Sequence, residues 1–283
     1  MRKRTGLTRI DLAVAMACVA LVLVNVPVIS AGGRGRSKRQ VCMANLKTLT
    51  AAWAMYADDH QGRIPCADVG NSHNIQPPAT DSEFYGRGWV EWLHKWTPGV
   101  PCTDDDFDFQ YNYLPVNKAT DADWLHAIEC GSLWTYIQNY NIYKCPSGDK
   151  GQFRTYTVSE SMNTYPGLPA GAKPLTNFFI TQITKPAEGI VFIDEGYPLT
   201  GAFYILYQEE AWSYDPAPIH HNNGTTFSFA DGHTEYWKWV DNRTMEYRGG
   251  QSKVPSLCNQ DLYRLQKGTW GKLGYTPSCT PEY

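Results

Sequence analysis

Apolar and polar positions divide this chain into three regimes. Residues 10–31 are almost wholly apolar, and the stretch from Leu12 to Val24 carries no charge. From Gln40 to Asp59 the apolar residues Val41, Leu46, Leu49, Trp53 and Tyr56 recur at helical spacing, which predicts an amphipathic helix. Beyond it come short runs with strand character. Strands are expected at Arg154 to Val158, Asn177 to Ile180 and Gly189 to Asp194. Thr225 to Ala230 lies between the hairpin signals Asn223-Gly224 and Asp231-Gly232. His233 to Val240 follows, with Tyr236 and Lys238 on one face and Trp237 and Trp239 on the other. Trp89, Trp92 and Trp96 keep helical spacing with Leu93 and read as a core stripe. Cys66 to Thr120 reads as a long, loop-rich insertion.

The apolar run changes the picture from a plain globular chain to an anchored one. Leu7 to Ala31 would be a helix of about 37 Å, enough to span a bilayer. Charge divides at the same place. Residues 1–39 hold eight basic residues against Asp11 alone, a net of +7, whereas the whole chain of 283 residues carries −3. The remainder is therefore an acidic head at −10, which disfavours nucleic-acid binding by bulk basicity. All 38 aromatic residues lie in that head. Ala31-Gly32-Gly33-Arg34-Gly35, just after Pro27, is a weak point between apolar run and amphipathic helix.

At the very start, Arg2-Lys3-Arg4 precedes Gly6-Leu7-Thr8-Arg9-Ile10-Asp11-Leu12. This junction resembles the leader of type IV prepilins. The resemblance implies cleavage between Gly6 and Leu7 by a prepilin peptidase and methylation of the new terminus. It also implies that Asp11 stands where the family carries its acidic residue, which pairs with the terminal amine of a neighbouring subunit. A buried carboxylate in an apolar helix needs such a partner. Further on, Cys42-x-x-Asn45-Leu46-Lys47, Met55-Tyr56-Ala57-Asp58-Asp59 and Gly62-Arg63-Ile64-Pro65 resemble the start of the large pilin-like proteins of Planctomycetes and Verrucomicrobia. Tyr143-Lys144-Cys145-Pro146-Ser147 and Lys185-Pro186-Ala187-Glu188 resemble later elements in the same order. His221, nine residues, then Asp231-Gly232 resembles the family's closing H-X9-DG signature.

His221 and Asp231 should lie at opposite ends of a six-residue strand about 20 Å long, so they read as turn and packing determinants rather than one site. Asp194-Glu195 closes a strand and reads as an exposed, solvated pair, with cation ligation as the alternative. Asp104, Asp106 and Asp108 have the alternate spacing of half a calcium loop, but lack its glycine and closing glutamate, so calcium is only a candidate cofactor. Asp58 and Asp59 near the helix C-terminus call for a compensating cation, with Arg63 the nearest. Seven cysteines follow the apolar run. Cys258 with Cys279 would close a C-terminal loop, Cys66 with Cys102 would bracket the insertion, and Cys42 with Cys145 would tie helix to sheet. Connectivity does not follow from sequence, and no pair has C-x-x-C spacing.

These readings combine into an α+β expectation: a long N-terminal helix, half in the membrane and half in the head, packed on an antiparallel sheet. Residues 1–6 would be the leader, 7–31 the transmembrane and filament-core helix, and 32–283 the head with its insertion at about 66–120. The resemblance implies a non-enzymatic structural subunit of a type IV pilus or a secretion pseudopilus. It would be single-pass in the inner membrane with the head outside, then part of a self-associated filament. Two other classes compete. One is a membrane-anchored extracytoplasmic module that binds glycans or a protein. The other is a metallohydrolase using His220, His221 and Asp231.

Overall fold

The computed structural model describes residues 35–67, 88–90, 119–163, 175–196 and 201–279. The processing junction Gly6-Leu7, Asp11, the apolar run, Cys102, Trp92, Trp96 and the Asp104, Asp106, Asp108 series lie outside the described residues. No helix among the described residues is long and apolar enough to cross a membrane.

The head is an α+β unit, as the patterning predicts. Helix α1 (35–59) packs against a mostly antiparallel sheet of five strands. Its buried residues Cys42, Leu46, Leu49, Trp53, Tyr56 and Ala57 form one continuous stripe, while Val41 and Met55 face solvent. The predicted Val41 contribution to the stripe is thus replaced by Cys42, one position on. The helix stops where Gln61 and Gly62 take positive φ, and the Gly62 amide caps the Ala57 carbonyl at 2.7 Å.

The strands are β1 (Tyr156–Ser159), β2 (Ile190–Asp194), β3 (Ala202–Phe203), β5 (Gly224–Phe229) and β6 (Thr234–Lys238), in spatial order β3-β1-β2-β5-β6. The β1–β3 pair is parallel and the others are antiparallel. A second, two-stranded sheet pairs β4 (Ala211–Trp212) with β7 (Val254–Pro255). Short helices α2 (Asp121–Glu129) and α3 (Trp134–Ile137) precede β1. Helices α4 (Asn242–Glu246) and α5 (Gln260–Trp270) follow β6. The expected strand at Asn177 to Ile180 is not built. That segment makes single bridges, Phe179 with Arg63 and Asn177 with Met162, and turns into a 3-10 helix at Ile180–Gln182.

Two cores lie on opposite faces of the sheet. Leu46, Leu49 and Trp53 of α1 pack with Tyr156, Val158 and Phe192, and with Tyr143 and Trp89. On the other face Leu262, Leu265 and Trp270 of α5 pack with Ile190, Ile193, Phe227, Phe229 and Trp237. The sheet is therefore the middle layer of three, which its period-2 alternation dictates. Trp237 and Trp239 are buried while Tyr236 points to the α1 side, where Arg39 stacks on its ring at 4.3 Å.

The expected Asp59–Arg63 compensation is not how the helix end is settled. Asp59 accepts a 2.8 Å hydrogen bond from the Tyr136 hydroxyl. Arg63 lies over the Phe179 ring, 5.5 Å from its centre.

Candidate functional site

Where the N-terminal part of α1 crosses the sheet, the seam between them is not apolar. Cys42, on the first buried turn of α1, faces Asp194, the last residue of β2. Because β2 alternates, Phe192 and Asp194 face α1 while Ile193 faces α5. Thr226 and Ser228 of β5 face α1 by the same alternation. Cys145 comes in from the loop after the 3-10 helix Tyr140–Tyr143. His221 stands just before β5, in front of a turn whose residues Asn222 and Asn223 both take positive φ.

Four side chains thus converge from four distant segments. The Cys42 thiol donates to Asp194 Oδ2 at 3.0 Å. His221 Nε2 lies 3.2 Å from the same oxygen and 3.3 Å from Cys145 Sγ. One donor atom from each of the four falls within 4.8 Å of the others. Cys42, Cys145 and Asp194 have no solvent exposure and His221 has 6%.

A further ring of groups orients these four. The Tyr156 hydroxyl donates to Cys42 Sγ at 3.3 Å, and Thr226 Oγ1 lies 2.9 Å from it. The Ser147 amide donates to Cys145 Sγ at 3.3 Å. Thr225 Oγ1 donates to the Asp194 carbonyl at 2.5 Å, and Tyr236 OH donates to the His221 carbonyl at 2.6 Å. Asn45, one turn along α1, donates to the carbonyls of Asn141 and Lys144 at 3.1 and 3.0 Å, which holds the Cys145 loop against the helix.

Two glycines make room for this packing. A Cβ on Gly196, which has φ +97°, would lie 2.1 Å from His220 Nε2. A Cβ on Gly224 would lie 2.1 Å from the Trp237 carbonyl oxygen. The hairpin signal at Asn223-Gly224 therefore works differently from expectation. Asn222 and Asn223 supply the left-handed backbone, and glycine is required for close strand approach.

Burial and proximity divide the protons. The neighbouring Cys42, then His220 and His221, outweigh burial and hold Cys145 well below the usual thiol range. Burial, then Cys145 and the Asp194 charge, push the Cys42 thiol up. Burial would lower His221, but its bonds to Asp194 and Cys145 raise it to about 9. Burial raises the Asp194 carboxyl against the hydrogen bonds from His221 and Cys42.

Several sequence readings are corrected here. Asp194 and Glu195 are buried, not solvated, because the strand end lies beneath α1 and the loops rather than at the rim. Burial, then the Asp215 charge, raises the Glu195 carboxyl well above its ordinary range. His221 joins a polar cluster and is not merely a turn determinant. Asp231 is at the far end of β5, as expected, where its carboxylate pairs with His233 at 2.5 Å. The metallohydrolase trio of His220, His221 and Asp231 is therefore not assembled. Gly232 takes φ +89° in that same turn. Of the cysteine pairs, Cys258–Cys279 is a disulfide. Cys42 and Cys145 meet as expected, but as free thiols. Cys66 is buried and not in a disulfide, the Cys102 of its expected pair lies outside the described residues, and Cys130, left over in the sequence reading, is disulfide-bonded.

A groove of about 450 Å³ opens beside the cluster, lined by Glu195, Gly196, His220, Asn223, Tyr247 and Arg248 among others. None of the four converging residues lines it. The two sulfurs are fully removed from solvent. No family model, no curated protein and no solved structure matches this chain.

Proposed function

We propose that this chain is a pilin-like structural subunit, anchored by its N-terminal apolar segment and assembled into a type IV pilus or a secretion pseudopilus. The observation that carries this reading is the placement of α1. From residue 35, the first described, it runs as a helix to residue 59 and lays one buried face against the head sheet. A subunit of this kind needs one N-terminal element that is apolar all round where helices pack together and amphipathic where it holds a head. The sequence changes from one pattern to the other between Ala31 and Gln40. The prepilin-like junction Gly6-Leu7 and the carboxylate of Asp11 supply the processing and pairing groups that such assembly uses.

Mass spectrometry of the native N-terminus tests this. A mature chain beginning at methylated Leu7 is the expected result. A chain that retains Met1, or begins near Ala31, overturns it. Asp11→Ala should leave the head folded and abolish filaments. Normal filament yield from that variant removes the proposed role of Asp11.

A further inference from the structure

The closed cluster beneath α1 has a composition and shape that a hydrogen-bond network alone does not explain. Two thiols, a carboxylate and an imidazole lie together, fully or almost fully buried, beside the apolar core of Leu46, Leu49, Trp53 and Phe192. Removing several ionisable groups from water costs far more than burying hydroxyls, unless a strong partner is present. Asp194 Oδ1 has no hydrogen-bond partner although it is fully buried. An unpartnered carboxylate oxygen at zero exposure calls for a partner, and a cation is the strongest one.

We propose that Cys42, Cys145, Asp194 and His221 bind a zinc-type divalent cation that clasps α1 to the sheet. A tetrahedral zinc ion with bonds of about 2.0 to 2.3 Å sets its ligand atoms about 3.3 to 3.8 Å apart. Three of the six separations here, 3.0, 3.2 and 3.3 Å, need only a small outward relaxation to admit it, and the others lie within 4.8 Å. The donor set selects the ion. Two soft sulfurs and an imidazole exclude calcium and magnesium, which take oxygen ligands, and favour zinc over harder ions. The neighbours suit a thiolate site as well. Tyr156 OH and the Ser147 amide donate to the two sulfurs, and such donors orient metal-bound thiolates. Four protein ligands, all buried, leave no open position for water, so the ion is structural rather than catalytic.

The consequence is topological. The ligands come from α1, the Cys145 loop, the end of β2 and the approach to β5. Pairs in contact are separated by 152 and 76 residues. One ion would therefore fix the helix that leads into the apolar segment onto three separate parts of the head. A Cys42–Cys145 disulfide is the competing use of the same sulfurs. It would join only α1 and the loop, and leave the buried Asp194 and His221 without a role.

The test uses the full chain purified in detergent without chelator. Elemental analysis should find about one zinc per chain. Exchange for cobalt should give intense tetrahedral ligand-field bands together with a thiolate-to-cobalt charge-transfer band. Cys42→Ser and Cys145→Ser should each abolish that charge-transfer intensity or greatly weaken it, whereas Cys66→Ser should leave it intact. Because the serine variants can fail to fold, thiol alkylation of the unaltered protein gives a second readout. Cys42 and Cys145 should be protected until a chelator is added, with no reductant needed. A chain without metal, a cobalt spectrum lacking thiolate charge transfer, or sulfurs that react only after reduction would each overturn the proposal.

Discussion

The two faces of the central sheet bury their neighbours by different chemistry. Along β5, Phe227 and Phe229 point toward α5, and Thr226 and Ser228 point toward α1. The α5 face is mainly aromatic and aliphatic where it meets the sheet, with Phe227 and Trp237 rings 4.3 Å apart. The α1 face mixes Leu49 and Trp53 with a row of buried polar contacts, Thr50 to Ser228 at 2.6 Å and Cys42 to Thr226 at 2.9 Å. Apolar packing is non-directional and tolerates sliding, whereas a hydrogen-bonded pair works at one register only. The α5 face thus contributes stability, and the α1 face adds a specified position for the helix that leads out of the head.

Cysteines follow the same division. Cys258 immediately precedes Asn259, the N-cap of α5, and is closed to Cys279 as a disulfide. Cys42, near the start of α1, faces Cys145 as a free thiol. One helix is tethered covalently along the chain. The other is held through a buried polar centre that reaches several strands.

The contrast can be broken first on the apolar face. Trp237→Ala should cost about 3 to 5 kcal/mol, because it removes a buried indole between Phe227 and Arg264 and leaves a cavity. Urea unfolding of the head measures it. Next, replacing Cys258 and Cys279 together by serine opens a loop of separation 21 and should cost about 3 kcal/mol. Hydrogen exchange should show the loss concentrated in α5 and the residues after it, with α1 protection unchanged.

On the polar face the expected effects are smaller and show a different signature. Thr50→Val leaves Ser228 Oγ with only the Phe192 amide, at 3.3 Å, and should cost about 1 kcal/mol, whereas the double change with Ser228→Ala should recover part of that loss. Simple additivity of the two would mean that the pair does not act as a unit. The smallest effect concerns Glu210, whose two carboxylate oxygens accept the amides of Cys258 and Ser278 at 2.6 and 3.0 Å. Burial would raise this carboxyl, but those hydrogen bonds hold it below its ordinary value. Its folded pKa is depressed, so its stabilisation is complete above the unfolded value of about 4.3 and is lost as pH falls through the folded one. Proteolysis of the C-terminal loop should rise in that acid range, and Glu210→Gln should remove the dependence.

Much of the frame is written locally. The helical spacing from Leu46 to Tyr56 located α1, and the alternation of Tyr236, Trp237, Lys238 and Trp239 assigned the two faces of β6 correctly. Turn residues bracketed β5 to within a residue, although Asn222 was missed because Gly224 drew the turn signal to itself. The strand expected at Asn177 to Ile180 failed because its apolar residues find a bridge to Arg63 instead of a neighbouring strand.

The cluster was half legible. Cys42 with Cys145 is one candidate pair in the sequence, with connectivity left open, and no spacing marks Asp194 or His221 as their companions. Asp194 sits at a strand end, where solvent is the ordinary neighbour, and His221 sits beside a turn, where packing is the ordinary role. Periodicity records which face of an element is buried because that depends on residues three, four or two positions apart. It carries no record of what lies opposite that face. The sequence by itself determined an amphipathic helix, its strands and an acidic, aromatic head. Only the tertiary structure decided that α1 crosses β2 and β5 at Cys42, and so brought two sulfurs, a carboxylate and an imidazole into one dry space.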